Sequence, residues 1–209
     1  ILQQLHDYGS PASVAQTGGR YFGFVNGGII PVTLATKWLT DFWDQNTALQ
    51  LMSPITSKLE EVCQRWLQQL LGLPDTTVAG FVSGTSSAIF CGLAAARLRI
   101  YGNHGWDFNQ QGHNGAPPIR IIAGRHTHGA VIKAIALLGF GLDNIEWVEG
   151  DDQGRIDQNQ MPELDATCIV ILQAGNVNSG AFDPFDQICD NANAAGAWVH
   201  IDGAFGLWA

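Results

Sequence analysis

From residue 78 to the end, short apolar runs alternate with runs of helical period, and that alternation leaves few folds open. The strand-like runs are 78–82, 119–123, 145–148, 167–172 and 197–201, and the helical runs between them are about 86–101, 128–138 and 184–195. Strands apolar on both faces belong in a sheet covered by helices on each side, and strand–helix alternation favours parallel neighbours. Residues 76–209 are therefore expected to be α/β, with a mainly parallel sheet and flanking helices. The stretch 102–118, rich in Asn, Gly and Gln, is expected to be the one long loop.

Residues 1–75 read differently. Pro31 to about Gln45 is expected to be helical. Ser53-Pro54 opens a clearer helix, with Ser as N-cap, Pro at the first position and Gly72 as the stop. Its apolar residues Ile55, Leu59, Val62, Cys63, Trp66, Leu67, Leu70 and Leu71 keep the 3.6-residue period, so one broad face is expected to be buried. Before it, Arg20–Gly28 is glycine-rich with aromatics at Tyr21, Phe22 and Phe24. That segment reads equally as a packed arm or as a loop lining a pocket.

In open α/β sheets, ligands bind beyond the carboxyl ends of the strands. Four strand ends here carry polar or small residues: Ser83-Gly-Thr-Ser-Ser87, Gly124-Arg-His-Thr-His128, Gln173-Ala-Gly-Asn-Val-Asn-Ser-Gly180, and Asp202 followed by Gly203 and Ala204. Gly84, Thr85 and Ser86 at a helix start can cradle a phosphate with free amides and hydroxyls, or can simply cap the helix. The turn is not a P-loop, because GxxxxGK[ST] and its Lys are missing. His126 and His128 lack further metal ligands at workable spacing, so His128 caps its helix or stacks on a flat ring. Asn176 and Asn178 can donate to an anion or can serve their own turn. Asp183-Pro184 reads as N-cap and first position of the next helix.

Asp202 ends an apolar strand, where a carboxylate is costly unless a cation or a hydrogen bond meets it. A phosphate cradle, a stacking imidazole, amide donors and an acid at one sheet edge suit a flat phosphorylated ligand with a basic ring nitrogen. Pyridoxal 5′-phosphate meets each requirement: Asp202 would keep its pyridine nitrogen protonated, His128 would cover one ring face and Ala204 the other. No metal is expected.

Composition narrows the alternatives. The 209 residues carry a formal charge of −9, and only 14% are charged against 46% hydrophobic. The ten Lys and Arg are scattered, which argues against nucleic acid. So few charges suggest that much of the surface is covered by a partner subunit or by further chain. Cys63, Cys91, Cys168 and Cys189 form no CxxC pair, and no apolar run approaches 18 residues. A soluble, cytoplasmic setting without a membrane contact is the expectation. The start at Ile1 and the stop at Ala209, just after a strand, suggest a fragment.

The stretches Tyr21–Gly28, Met52–Leu73, Phe81–Ala96, His126–Leu138, Gly175–Asp183 and Val199–Gly206 together resemble the pyridoxal-phosphate-dependent group II amino-acid decarboxylases. The resemblance implies fold type I, the aspartate-aminotransferase-like large domain, here incomplete. It makes Asp202 similar to the family's pyridine-nitrogen acid and His128 to its ring-stacking histidine. Thr85 and Ser86 match the phosphate turn, Gly84 gives it room, and Ala204 matches the small residue on the opposite ring face. It also implies decarboxylation of an L-amino acid to the amine and CO2, and a homodimer. Transamination, carbon–carbon lyase chemistry and a non-catalytic role are the alternatives. This chain departs from the family in having Asn176, Val177 and Asn178 where Thr is common. The family's cofactor-bearing lysine lies in a His-Lys motif beyond the last of these stretches, and Lys37, Lys58 and Lys133 do not match it.

Overall fold

The computed structural model describes residues 1–21, 23–24 and 26–209. It divides into two compact units, Ile1–Val78 and Ala79–Ala209.

In the first unit a helical turn, α1 (Leu2–Gln4), leads through irregular turns to Ala12. Helix α2 spans Pro31–Trp43, starting on a proline whose missing N–H costs nothing there. The Thr33 hydroxyl accepts from Ile30 N at 3.2 Å and donates to Ile30 O at 2.7 Å, closing its first turn. Helix α3 (Pro54–Leu70) starts and stops as the sequence predicts, with Gly72 at φ +62° past its end. Ser53 holds the cap position, but its hydroxyl makes no capping bond and is buried without a partner among the described residues. The expected buried face is not found. No α3 residue is buried: Ile55, Leu59, Trp66 and Leu70 are 44–72% exposed, while Val62, Cys63 and Leu67 are half-buried. In the glycine-rich segment before α2, Phe24 is exposed at a left-handed φ of 59°, while Phe22 and Val25 lie outside the described residues.

The second unit is the expected α/β layer structure. Four strands, β1 (Arg120–Gly124), β2 (Ile145–Val148), β3 (Cys168–Gln173) and β4 (Trp198–Asp202), form a sheet of order β2-β1-β3-β4, parallel throughout. Alternation sends Ile121, Ala123, Ile145, Ile169 and Ile171 to one face, where they meet α4 (Thr85–Asn103) and α6 (Gly129–Leu137). Ile122, Val148, Val170 and Leu172 face the other way, onto Ile188 and Ala192 of α7 (Phe185–Ala194).

Two expectations are corrected here. Residues 78–82 form no strand, and Val78 and Val82 are 82% and 45% exposed. A strand exists only through its ladder, and none of the four strands pairs with this run. The segment 102–118 is also less irregular than its composition suggests. Helix α4 continues to Asn103, and a short α5 (Phe108–Gln111) follows, started by Asp107 accepting from Asn109 N at 3.0 Å. His113 pins the rest, its Nδ1 3.2 Å from the Tyr101 hydroxyl and its Nε2 2.8 Å from Leu138 O.

Helix direction fixes which residues share an edge. Tyr101, near the end of α4, lines one cavity with Ile119 and Arg120 at the start of β1. Helix α4 therefore runs against the strands, and its first turn lies at their carboxyl ends. Helix α6 begins just past β1 and runs back to Leu138, whose carbonyl meets Arg97 Nη1 at 2.9 Å. Its first turn lies at the same edge.

Candidate active site

Asp202 ends β4 opposite Gln173, the last residue of β3. It is 8% exposed, a carboxylate buried at a strand end. Its backbone carbonyl accepts from Ala174 N at 2.8 Å, and Oδ1 accepts from Ala204 N at 3.1 Å. Among the described residues no donor meets Oδ2, so half of this buried acid is left for something else.

The turn before α4 has the form of an anion cradle. Gly84 caps the helix, and its carbonyl accepts from Ser87 N and Ala88 N at 3.0 and 3.1 Å. The amides of Thr85 and Ser86 precede the first helical hydrogen bond and meet no acceptor among the described residues, which leaves them available to a ligand. Thr85 and Ser86 are exposed, and a side chain at position 84 would meet nothing within 4 Å, so the approach is open.

His128 is the N-cap of α6. Its Nδ1 accepts from Ala130 N at 3.2 Å, which fixes the plane of an exposed ring. Because Nδ1 accepts, a neutral ring carries its proton on Nε2. Capping and ring stacking are thus compatible in one residue. His126 lies elsewhere, 3.3 Å from where a side chain on Gly150 or Gly154 would begin. No cluster of three His, Cys, Asp or Glu placed for a metal exists among the described residues.

Asn176 is committed to its own turn. Its Oδ1 accepts from Asn178 N at 2.9 Å and Ser179 N at 3.3 Å, and its backbone bonds Ala181 O and Gly180 N. Asn178 is exposed on that turn. Gly175 before it has φ +89°, and a side chain there would start 2.7 Å from Phe205 Cδ1, so only glycine lets the β3 turn approach the chain after Asp202.

Asp183 does not cap α7, contrary to its Asp-Pro reading. The cap position is Pro184, and the helix begins at Phe185. The Asp183 carboxylate instead accepts from Gln173 N at 2.7 Å and Ile156 N at 2.9 Å. It is buried, which raises its pKa, while those two amides pull the other way. It therefore ties the end of β3 to the chain after β2.

Sequence reasoning also passed over His200. By strand alternation it shares a face of β4 with Trp198 and Asp202, the face against α4. Its Nε2 is buried without a partner among the described residues, and burial lowers its pKa, with Asp202 acting in the opposite sense. A single imidazole two residues before a strand-end acid was the available signal.

The cradle, the fixed imidazole ring and the half-open buried acid fit a phosphorylated pyridine. The comparisons with known proteins agree. The pyridoxal-dependent decarboxylase conserved domain matches residues 16–207. Cysteine sulfinic acid decarboxylases of rat and human are each 27% identical to the chain over 195 residues, covering 90% of it and 38% of their own length. A crystal structure of mouse CSAD in apo form superposes with a TM-score of 0.81 at 26% identity, over 93% of this chain and 42% of that one. Oryza sativa TDC with PLP and tryptamine shares the fold at a TM-score of 0.83 and 23% identity, over 97% of this chain and 44% of that one. The chain thus spans about two-fifths of the length of these relatives, and its fold is that of the fold type I enzymes. By the match across nearly all of its length, the chain belongs to the pyridoxal-dependent decarboxylase family, whose cofactor is pyridoxal 5′-phosphate.

Proposed function

We propose that the full-length protein containing this chain is a pyridoxal-phosphate-dependent carboxy-lyase that converts an L-amino acid to its amine and CO2. The observation that carries this reading is the buried Asp202 carboxylate with Oδ2 unmet, at the same sheet edge as the free amides of α4 and the fixed ring of His128. The bound cofactor supplies an electron sink for the pair left on Cα when CO2 departs. Asp202 holds the proton on the ring nitrogen that makes the sink effective. Gly84, Thr85 and Ser86 hold the phosphate, His128 covers one ring face, and Ala204 leaves room on the other. Asn178 is free to meet a polar group of cofactor or substrate, whereas Asn176 shapes the turn that presents it.

None of the three lysines here is assigned the cofactor-bearing role. Lys37 and Lys58 are exposed and pair with Asp41 and Glu61 at 2.9 and 2.7 Å, and Lys133 lies within α6. That lysine is assigned to the remainder of the protein. The division into an N-terminal arm with helices (1–75) and a partial cofactor domain (76–209) goes with this reading. A homodimer is supported by exposed apolar side chains in the first unit, with Trp38, Phe42 and Trp66 61–87% exposed. Cytoplasmic residence is supported by four unpaired cysteines, and no described helix is long and apolar enough to cross a membrane.

Supplying the full-length protein with pyridoxal phosphate and a panel of L-amino acids tests the reaction. Amine and CO2 in equal amounts support decarboxylation. Keto acid or aldehyde without CO2 would replace it by another chemistry of the same fold.

A further inference from the structure

We propose that the contact between Gly92 and His200 is a spacer that sets the distance between the phosphate cradle and Asp202. The inference rests on the cofactor reading above and names two positioning residues for it.

The phosphate cradle belongs to a helix and the ring-nitrogen acid to a strand, so their separation depends on what keeps helix and strand apart. Gly92 lies seven residues into α4, about 10 Å along the helix from Thr85. His200 lies two residues before Asp202, about 7 Å along β4. These two meet: a Cβ on Gly92 would lie 3.0 Å from both Cε1 and Nδ1 of the His200 ring. Below this level Leu93, Ala96 and Trp198 continue the packed interface.

Two observations mark the contact as a spacer. Glycine in the interior of a 19-residue helix is a weak helix former, so its presence requires a packing reason. The Cε1–Nδ1 edge of the His200 ring occupies the space that a side chain at position 92 would need, and the adjoining Nε2 is buried with no hydrogen-bond partner among the described residues, so no hydrogen bond at Nε2 holds the ring. An imidazole edge against a bare backbone has little slack, because packed interiors do not deform continuously. A longer side chain at 92 moves α4 outward by a few tenths of an ångström and carries the free amides of Thr85 and Ser86 with it. A ligand that must touch both the cradle and Asp202 is then stretched, whereas a ligand touching only one end is indifferent.

The test compares pyridoxamine 5′-phosphate with pyridoxamine on the full-length protein, since neither bonds covalently to a lysine and only the first reaches both ends. Calorimetric titration reads the ratio of the two affinities. In Gly92→Ala the phosphorylated ligand is expected to weaken about fivefold and pyridoxamine less than about twofold, as in any two-point attachment whose span is wrong. Alanine is the better helix former, so this loss does not come from a weaker α4. Combining Gly92→Ala with His200→Asn, a shorter side chain, is expected to restore the ratio to within about twofold of wild type, the non-additivity of a direct contact. His200→Asn alone removes the stop and lowers the ratio, which keeps the test available if Gly92→Ala does not fold. An unchanged ratio, equal weakening of both ligands, or no recovery in the double variant overturns the spacer. Failure of wild-type protein to bind pyridoxamine 5′-phosphate overturns the cofactor reading itself, and is seen before any variant is made.

Discussion

Asp183 reaches across the end of the sheet to accept a 2.7 Å hydrogen bond from the Gln173 amide, and Gln173 is the register partner of Asp202. Its second oxygen takes the Ile156 amide at 2.9 Å, so one buried carboxylate satisfies two backbone donors from separate parts of the chain. Both bonds need an accepting oxygen. Asn at this position offers one such oxygen and turns an NH2 group toward the other amide. Asp183→Asn is therefore expected to cost about 1–3 kcal/mol, the range for leaving a buried donor unmet. The urea midpoint checks this, with Asp183→Ala expected to lose more than Asp183→Asn.

His128 carries two roles that substitution can separate. As N-cap it satisfies the Ala130 amide, and as a ring it can cover a flat ligand. His128→Asn keeps a good capping acceptor and discards the ring, so stability is expected to hold while cofactor affinity falls. His128→Ala discards both and is expected to lose about 1 kcal/mol of stability as well. Thermal unfolding and cofactor titration on the same pair of variants separate the outcomes. Equal affinity in His128→Asn and wild type would leave His128 as a cap alone.

The four strands of the second unit were legible within a residue or so because each is apolar on both faces, a pattern that survives without knowledge of its neighbours. Residues 78–82 show the limit of that logic. An equally apolar run became no strand, since a ladder needs a partner that periodicity does not supply. Helix α3 shows the same limit in another form, for its 3.6-residue period was correct and its burial was not. In the candidate site, the ends of β1, β3 and β4 share one edge because the sheet is parallel, whereas the 83–87 turn follows no strand. The roles of Asp183 and His200 were not legible, because they depend on contacts with Ile156, 27 residues away, and with Gly92 on another element. Local sequence favours the nearest helix cap, and Asp-Pro imitates one well.

The half-buried His200 imidazole gives the protein a pH dependence with a definite sign. Burial holds the His200 pKa below its ordinary 6.5, and the nearby Asp202 charge only partly offsets this. The folded state thus keeps His200 neutral where the unfolded chain already binds a proton. Below pH of about 6.5 the unfolded state takes up that proton first, so stability falls as pH drops toward the folded-state pKa and then levels off. Above about 6.5 both states are neutral at this residue, and its contribution is fully present. Urea midpoints between pH 7.5 and 5 are expected to decline in wild type, and His200→Gln, which cannot titrate, is expected to flatten the decline. The other five histidines remain in that variant, so the difference between the two profiles isolates His200. Parallel profiles would mean that Asp202 cancels the effect of burial, and a shallower decline in wild type than in His200→Gln would mean that Asp202 outweighs it.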